Sequence, residues 1–388
     1  MSGNAVRCTW IVVAAGALAA CQSAPSPRRP TGPAVVRTIT PGGLDSLPRL
    51  AISDGHLVCL ADGQNPCPVQ LAAANWAHDG KFATWEPNRP VQIWSPNDPN
   101  PMTVGEMGEG TGQYRMVASA AADGRAYDVV DGASNNLLRF NSKGQYESSV
   151  PIPPSRMTRA TGFAGDVPLL QLILPTAPDS PAVFEVRELV APGDTLGRAV
   201  VSLPLPWLRI RDGHPIGELP LFPVLPSYAI APDSDVVWTA GDLFNVRRQT
   251  PTGTLQWSLT SDAPGPPVTP DEIARMRAQF ASTADSAARA RFDSSAALSG
   301  KFHPAITGVL LAHDDRVLLV GPPLPGRDSL DFYTLNNTGL PTGRFALPVR
   351  SRVLLFAGDS VLVQRPGANA QQELRWLLIG RSGPAAHP

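Results

Sequence analysis

Lysine is almost missing from this chain: Lys81, Lys143 and Lys301 are the only three in 388 residues. Charged residues of both signs make up 17%, and the net charge is −1. Such a chain has no basic field, which excludes nucleic acid as a partner. Arginine is the default cation, and no cluster of it is dense enough in sequence to indicate phosphate recognition, so the bias reads as genomic composition. The six histidines are isolated, with no HxH, no HExxH and none in a GxSxG context, so the motifs of zinc and serine hydrolases are lacking. No paired carboxylates stand out. Asp314-Asp315 and Asp233 with Asp235 read as turn residues. The glycines between Gly105 and Gly112 precede no helix, so they make no phosphate cradle. No cofactor is implied.

Proline (42) and glycine (34) are plentiful and evenly scattered, which suits many short strands joined by turns. Residues 1–20 carry one positive charge, Arg7, and an apolar run from Cys8 to Ala20. That run is shorter than the about 20 residues that span a bilayer and fits the core of a signal peptide. Leu18-Ala19-Ala20-Cys21 resembles a bacterial lipobox, which implies that Cys21 is lipidated and becomes the mature N-terminus. An ordinary secretory signal with an incidental cysteine is the alternative. Gln22 after the cysteine favours the outer over the inner membrane by the enteric rule, leaving the periplasmic side or outer membrane of a cell envelope as the address. Residues 21–33 are rich in Pro and Ser and read as a flexible tether.

The most regular stretch runs from Gly108 to Tyr146. An apolar strand (Met116 to Ala121), an Asp123-Gly124 turn, a second strand (Arg125 to Val130), a polar turn (Asp131 to Asn136), a third strand (Leu137 to Asn141) and a Lys143-Gly144 turn follow one another. That is a four-stranded meander the size of a propeller blade. With Gly110-Thr111-Gly112-Gln113-Tyr114 ahead of it, it resembles one repeat of the NHL class of β-propellers, and more closely the six-bladed propeller lipoproteins of bacterial surfaces. The resemblance implies a binding fold with no assigned activity.

Short polar turns of the same kind recur at His78-Asp79-Gly80, Gly165-Asp166, Pro232-Asp233-Ser234, His313-Asp314-Asp315 and Gly358-Asp359. With Asp123-Gly124 they make six. The predicted fold class is therefore all-β: residues 34–381 as a six-bladed propeller of four-stranded antiparallel blades, with 382–388 a disordered tail. One of the early strands (Val35 to Ile39, Arg49 to Ile52, or His56 to Leu60) closes the ring with the C-terminal strands, and the Asp54-Gly55 hairpin is assigned to that closure. Proline-rich extensions (Pro175 to Pro181, Leu203 to Pro226) lengthen one interval. One inserted α-helix at about 270–298 lengthens another, with Thr269 at N-cap, Pro270 at N1 and Glu272 at N3. Its stripe of Ile273, Met276, Phe280, Ala284, Ala287, Ala288 and Phe292 is expected to pack on the propeller. Trp76, Trp85, Trp94, Trp238, Trp257 and Trp376 are read as blade-to-blade core rather than a ligand cage.

Cys59 and Cys67 bracket a turn-rich loop and, in an exported protein, read as a disulfide rather than a metal site. The strands read as innermost (Ala72 to Trp76, Val117 to Ala121, Thr161 to Ala164, Tyr228 to Ala231, Ile306 to Leu311) are small and apolar with almost no acids, which argues against a central metal. Two functions stay open: a membrane-anchored scaffold binding a protein, peptide or glycan, or a propeller hydrolase or lyase of lactonase-like or streptogramin-lyase-like kind. For the scaffold, loops entering each blade and those between its second and third strands share a face. Arg89, Arg115, Asn135, Asn136, Phe244 and Arg327 are the candidate contacts there, and the protein is read as a monomer.

Overall fold

The computed structural model describes residues 34–381 apart from 61–66, 68–70, 78–79, 96–97, 123–125, 153–155, 165–166, 177–179, 191–194, 212–213, 217–218, 232–233, 263, 282–283 and 368–370. Residues 1–33, with Cys21, and the tail 382–388 lie outside the described residues, as do the turns at Asp123-Gly124 and Gly165-Asp166 and the insert near Pro178.

Six sheets form six blades, each with four antiparallel strands a to d from the axis outward. Blade 1 is Ala73–Trp76, Phe82–Trp85, Val91–Ser95 and Asp98–Val104, and blade 2 is Val117–Ala122, Ala126–Asp131, Asn136–Asn141 and Tyr146–Pro151. Blade 3 is Arg156–Ala164, Val167–Leu174, Pro181–Val190 and Thr195–Arg211, with His214–Ile216 as a fifth strand. Blade 4 is Ser227–Ile230, Val236–Thr239, Val246–Gln249 and Leu255–Thr260. Blade 5 is Gly308–Leu311, Val317–Val320, Ser329–Leu335 and Pro341–Pro348. Blade 6 takes Arg352–Phe356, Ser360–Pro366 and Gln372–Arg381 from the C-terminus and Leu50–Leu60 as its d strand from the N-terminus.

The ring closes because each blade buries one face against the next. Six apolar clusters occupy the six seams, including Leu355, Leu362 and Leu374 of blade 6 against Leu71, Phe82 and Trp94 of blade 1. The tryptophans serve this packing: Trp85, Trp94 and Trp257 are buried, and Trp76 stacks on Trp376 at 5.9 Å between ring centroids.

Local sequence explains the hairpins. Three a–b turns share an alanine followed three residues on by a left-handed position: Gly80 (φ 71°), Ser234 (φ 69°) and Asp315 (φ 65°). At c–d turns a polar side chain organises the loop. Asn141 Oδ1 accepts from the N–H groups of Lys143 (2.9 Å) and Gln145 (3.0 Å), and Asn336 Oδ1 from Thr338 (3.0 Å) and Leu340 (2.9 Å). These satisfy turn donors that the strands cannot reach.

The N-terminal segment departs from the sequence reading. Asp54-Gly55 makes no hairpin. Leu50–Leu60 is one strand along Gln372–Arg381, and the turn signal is absorbed as register shifts between Asp54 and Leu57 and between Leu57 and Cys59. Arg365 donates to Asp54 at 2.8 Å and Arg375 to the Gly55 carbonyl at 3.2 Å, holding the irregular stretch against the sheet. Val35–Thr38 pairs not with blade 6 but in parallel with Leu255–Thr260 of blade 4. Between these strands the short helix α1 (Pro41–Asp45) is capped by Thr40, and Arg49 bridges to Arg344 of blade 5. The N-terminal segment thus runs along the outer edges of three successive blades and covers strand edges that would otherwise invite pairing. Likewise Leu203–Arg211, read as a proline-rich extension, continues strand d of blade 3, because Leu205, Leu208 and Ile210 bury against blade 3's own strands.

The helical insert between blades 4 and 5 folds as two helices, α2 (Pro270–Ala281) and α3 (Ser286–Ala297). Thr269 caps α2 by accepting from the Glu272 N–H (3.2 Å), and Asp285 caps α3 by accepting from Ala288 (2.7 Å). The apolar stripe partly packs on itself: Phe280 stacks on Phe292 at 5.4 Å across the helix pair. Glu272 does not reach back to close a capping box. Its carboxylate is buried against His303 Nε2 at 3.0 Å, and Phe222 covers that imidazole at 4.3 Å.

Candidate binding face and central channel

Strand order places the b–c loops and the loops entering strand a on one face, and the a–b and c–d turns on the other. Hydrogen bonds join the loops of the first face. The Val117 N–H donates to the Pro87 carbonyl (2.9 Å), Gly132 to Met116 (2.8 Å), and Ala305 to Gly241 (2.8 Å).

Five of the six candidate contacts sit in or beside these loops with accessible side chains, though not as free groups. Arg89 is ion-paired with Glu86 at 3.0 Å and its side chain is 52% exposed. Arg115 lies 3.8 Å from Glu109 and donates to the Ala133 carbonyl at 3.1 Å. Arg327 meets Asp331 at 3.4 Å with 60% of its side chain exposed. Asn135 is exposed in the left-handed conformation (φ 54°), and Asn136 is half-buried as it opens strand c.

Phe244, expected among these contacts, is instead buried. It is 4% exposed, packs edge-on to Tyr333 at 5.1 Å and belongs to the apolar seam between blades 4 and 5 with Trp257 and Ile306. It cannot contact a ligand. The loop at Gly241–Phe244 is short, so its aromatic turns inward, where burial of such a ring is worth about 1.5–3 kcal/mol.

The loop before blade 2 is rigid for internal reasons. Tyr114 is fully buried, its hydroxyl donating to the Val104 carbonyl (2.5 Å) and accepting from the Val91 N–H (2.9 Å). Burial pushes this phenol up to about 12. Asp131 accepts from the N–H groups of Met116 and Ala133, both at 3.0 Å, and from Ser134 Oγ at 2.6 Å. Burial opposes its ionisation, yet these donors hold the carboxyl below the usual range. The resemblance motif from Gly110 to Tyr114 therefore serves packing.

On the axis the six a strands enclose a channel of about 1040 Å³. Its walls are small and apolar, as the inner strands suggest, but the sequence reading left out the a strand of blade 6 and the beginning of blade 3's. Those two supply Arg352 and Arg159, and no aspartate or glutamate is among the described residues lining the channel. The recurrent turn at Gly358-Asp359 carried the signal: as an a–b turn, it makes Arg352–Phe356 innermost.

Most polar side chains of the wall are occupied within it. Asn75 donates to the Ala120 carbonyl (2.6 Å), Ser119 accepts from the Ala160 N–H (2.7 Å), and Ser227 accepts from Val309 (2.9 Å), tying neighbouring blades together. Tyr228 OH donates to Gln171 Oε1 at 3.2 Å. Burial pushes this phenol up, against the hydrogen bond with Thr161 and the positive charge of Arg159. Toward the a–b turns, Trp76 donates to the Leu311 carbonyl (3.3 Å) and lies 4.5 Å from the His313 ring, which narrows that end.

Near the cysteine pair, Cys59 and Cys67 are joined by a disulfide with Cα atoms 5.5 Å apart, linking strand d of blade 6 to the segment entering blade 1.

No protein-family model and no curated protein matches the chain. Among solved structures it is similar to a member of the DUF4221 family from Bacteroides vulgatus, with 9% identity, a TM-score of 0.51, and coverage of 87% of this chain and 100% of that one. It also aligns with the WD40 repeats of RRP9 (11% identity, TM-score 0.44, 86% and 99% coverage). A third match is a virginiamycin B lyase from Staphylococcus aureus with quinupristin (12% identity, TM-score 0.36, 84% and 89% coverage). At these identities the likeness is one of fold, and the chain is a six-bladed β-propeller.

Proposed function

We propose that the protein is a membrane-tethered extracytoplasmic scaffold that binds a protein, peptide or glycan through its b–c loop face. The observation that carries this is the contrast between the two faces. Among the described residues, one has short turns of the Asn141-to-Gly144 and Asn336-to-Gly339 type. The other has loops of differing length with Arg89, Arg115, Asn135, Asn136 and Arg327 accessible on a hydrogen-bonded frame. Binding residues fall disproportionately on variable loops held by a rigid scaffold. The address rests on the lipobox-like Leu18-Ala19-Ala20-Cys21 and the apolar run before it, and the NHL-like character of blade 2 agrees with a cell-envelope propeller. The ring closes with strands of its own chain, which suits a monomer.

Screening peptide and glycan libraries and envelope proteins for ligands, then reversing Arg89, Arg115 and Arg327 to Glu, tests the face. Those changes should weaken binding while the same change at Lys81 and Lys143 does not; equal effects from both sets in folded protein sink the assignment. For the anchor, Cys21→Ala should release the protein from membranes and abolish palmitate labelling. A lactonase-like alternative would need acidic oxygens on the axis to hold calcium, and the described lining supplies none.

A further inference from the structure

We propose that the central channel is a binding site for a small organic anion, a carboxylate or phosphate ester, gripped between Arg159 and Arg352. This does not depend on the loop-face reading.

Many arginines elsewhere in the protein are paired with carboxylates. Arg248 meets Asp235 at 3.1 Å, Arg365 meets Glu373 at 2.5 Å, Arg316 meets Asp314 at 2.6 Å and Arg198 meets Glu188 at 2.7 Å. The two channel arginines are not among them. No described carboxylate pairs with Arg159 or Arg352, and none lines the space they share. Blades 3 and 6 are opposite in a six-membered ring, so the two arginines join the channel lining from strands on facing walls. Arg352 opens its strand and Arg159 lies in the early part of its own, which places both toward the loop face, away from the end narrowed by Trp76 and His313.

Arg352 is held in place rather than neutralised, because its two terminal nitrogens donate to the backbone carbonyls of Leu71 and Ala72. A guanidinium has five donors in a fixed fork, so donors remain for a ligand. Burial, and after it the like charge of Arg159, lowers the Arg352 pKa, so the two cations sense one another. Two like charges facing one apolar-walled cavity are unfavourable when the cavity holds only water, and an oxyanion between them relieves the repulsion and is attracted by a focused field. The remaining wall, with Ile173, Phe184, Tyr228 and Leu354, suits an organic body on that anion.

Calorimetric titration of the full chain with succinate and with phenyl phosphate tests this, with succinamide as the uncharged isostere. Saturable one-to-one binding of either anion, and none of the amide, is expected. A response to succinate alone identifies a carboxylate ligand and one to phenyl phosphate alone a phosphate ester. Arg159→Gln and Arg352→Gln should each weaken binding about tenfold or more, as loss of a charge-assisted hydrogen bond predicts. Arg316→Gln, on a surface pair, should leave it unchanged. Because Arg352 also ties down Leu71 and Ala72, Arg159→Gln is the decisive variant, and circular dichroism verifies that it is folded. Absence of saturable binding at millimolar anion, equal binding of the amide, or undiminished binding by folded Arg159→Gln overturns the proposal.

Discussion

Gly339, in the c–d turn of blade 5, lies flat against the indole of Trp257 in blade 4: a Cβ at Gly339 would come within 2.5 Å of Cε3 of that ring. Gly339 is also left-handed, at φ +76°. Gly253, the corresponding glycine of blade 4, is left-handed too (φ +86°) but has nothing within 4 Å of where a Cβ would be. Gly253→Ala should therefore cost only the backbone term, about 1–2 kcal/mol. Gly339→Ala adds the steric term, about 1–3 kcal/mol more. Urea midpoints of the two variants measure the difference, and equal losses would show that the blade seam yields at no cost.

Asp131 ties the entry loop of blade 2 to its b–c turn. Because its folded pKa lies below the unfolded value, its contribution is fully present above about pH 4 and fades as pH falls through the folded pKa. Asp131→Asn should destabilise the protein by about 1–3 kcal/mol at pH 7, and the gap to wild type should narrow below pH 4. A gap constant from pH 7 to pH 3 would mean that the charge contributes nothing.

The Cys59–Cys67 bridge closes a short loop at the seam where the ring is joined. Unreduced protein should show two fewer reactive thiols than reduced protein. The double Ser variant should lose about 2–3 kcal/mol by the chain-entropy argument, read from thermal unfolding. Full alkylation of both residues before reduction would remove the bridge from the fold's support.

Glu272 and His303 form a buried pair between α2 and the strand-like segment entering blade 5. Glu272→Ala should loosen the insert, seen as faster amide exchange across α2, α3 and Leu221, whose N–H donates to Ser299 Oγ at 3.0 Å. Glu272→Gln, which keeps a hydrogen-bonding partner, should restore most of the protection. Uniform exchange changes around the whole ring would contradict this local role.

How much of the fold the sequence alone determines depends on the range of each signal. Left-handed turn positions such as Gly80 and Asp315, the Asn141 and Asn336 loops, the blade period and the Thr269 cap are set by residues within a few positions of one another, and all are legible in order along the chain. The Asp54-Gly55 signal misleads because a ladder of eight residue pairs with Gln372–Arg381 outweighs one turn preference, so the strand bulges instead of turning back. Phe244 looks like an exposed loop aromatic until the seam with Tyr333 gives it somewhere to bury. Arg159 and Arg352 illustrate the limit most clearly. Read along the chain, each is one more arginine in an arginine-rich composition. Ring closure alone brings them to facing walls of one cavity, because a propeller's axis gathers one strand from every blade, and proximity across that axis has no counterpart in sequence distance.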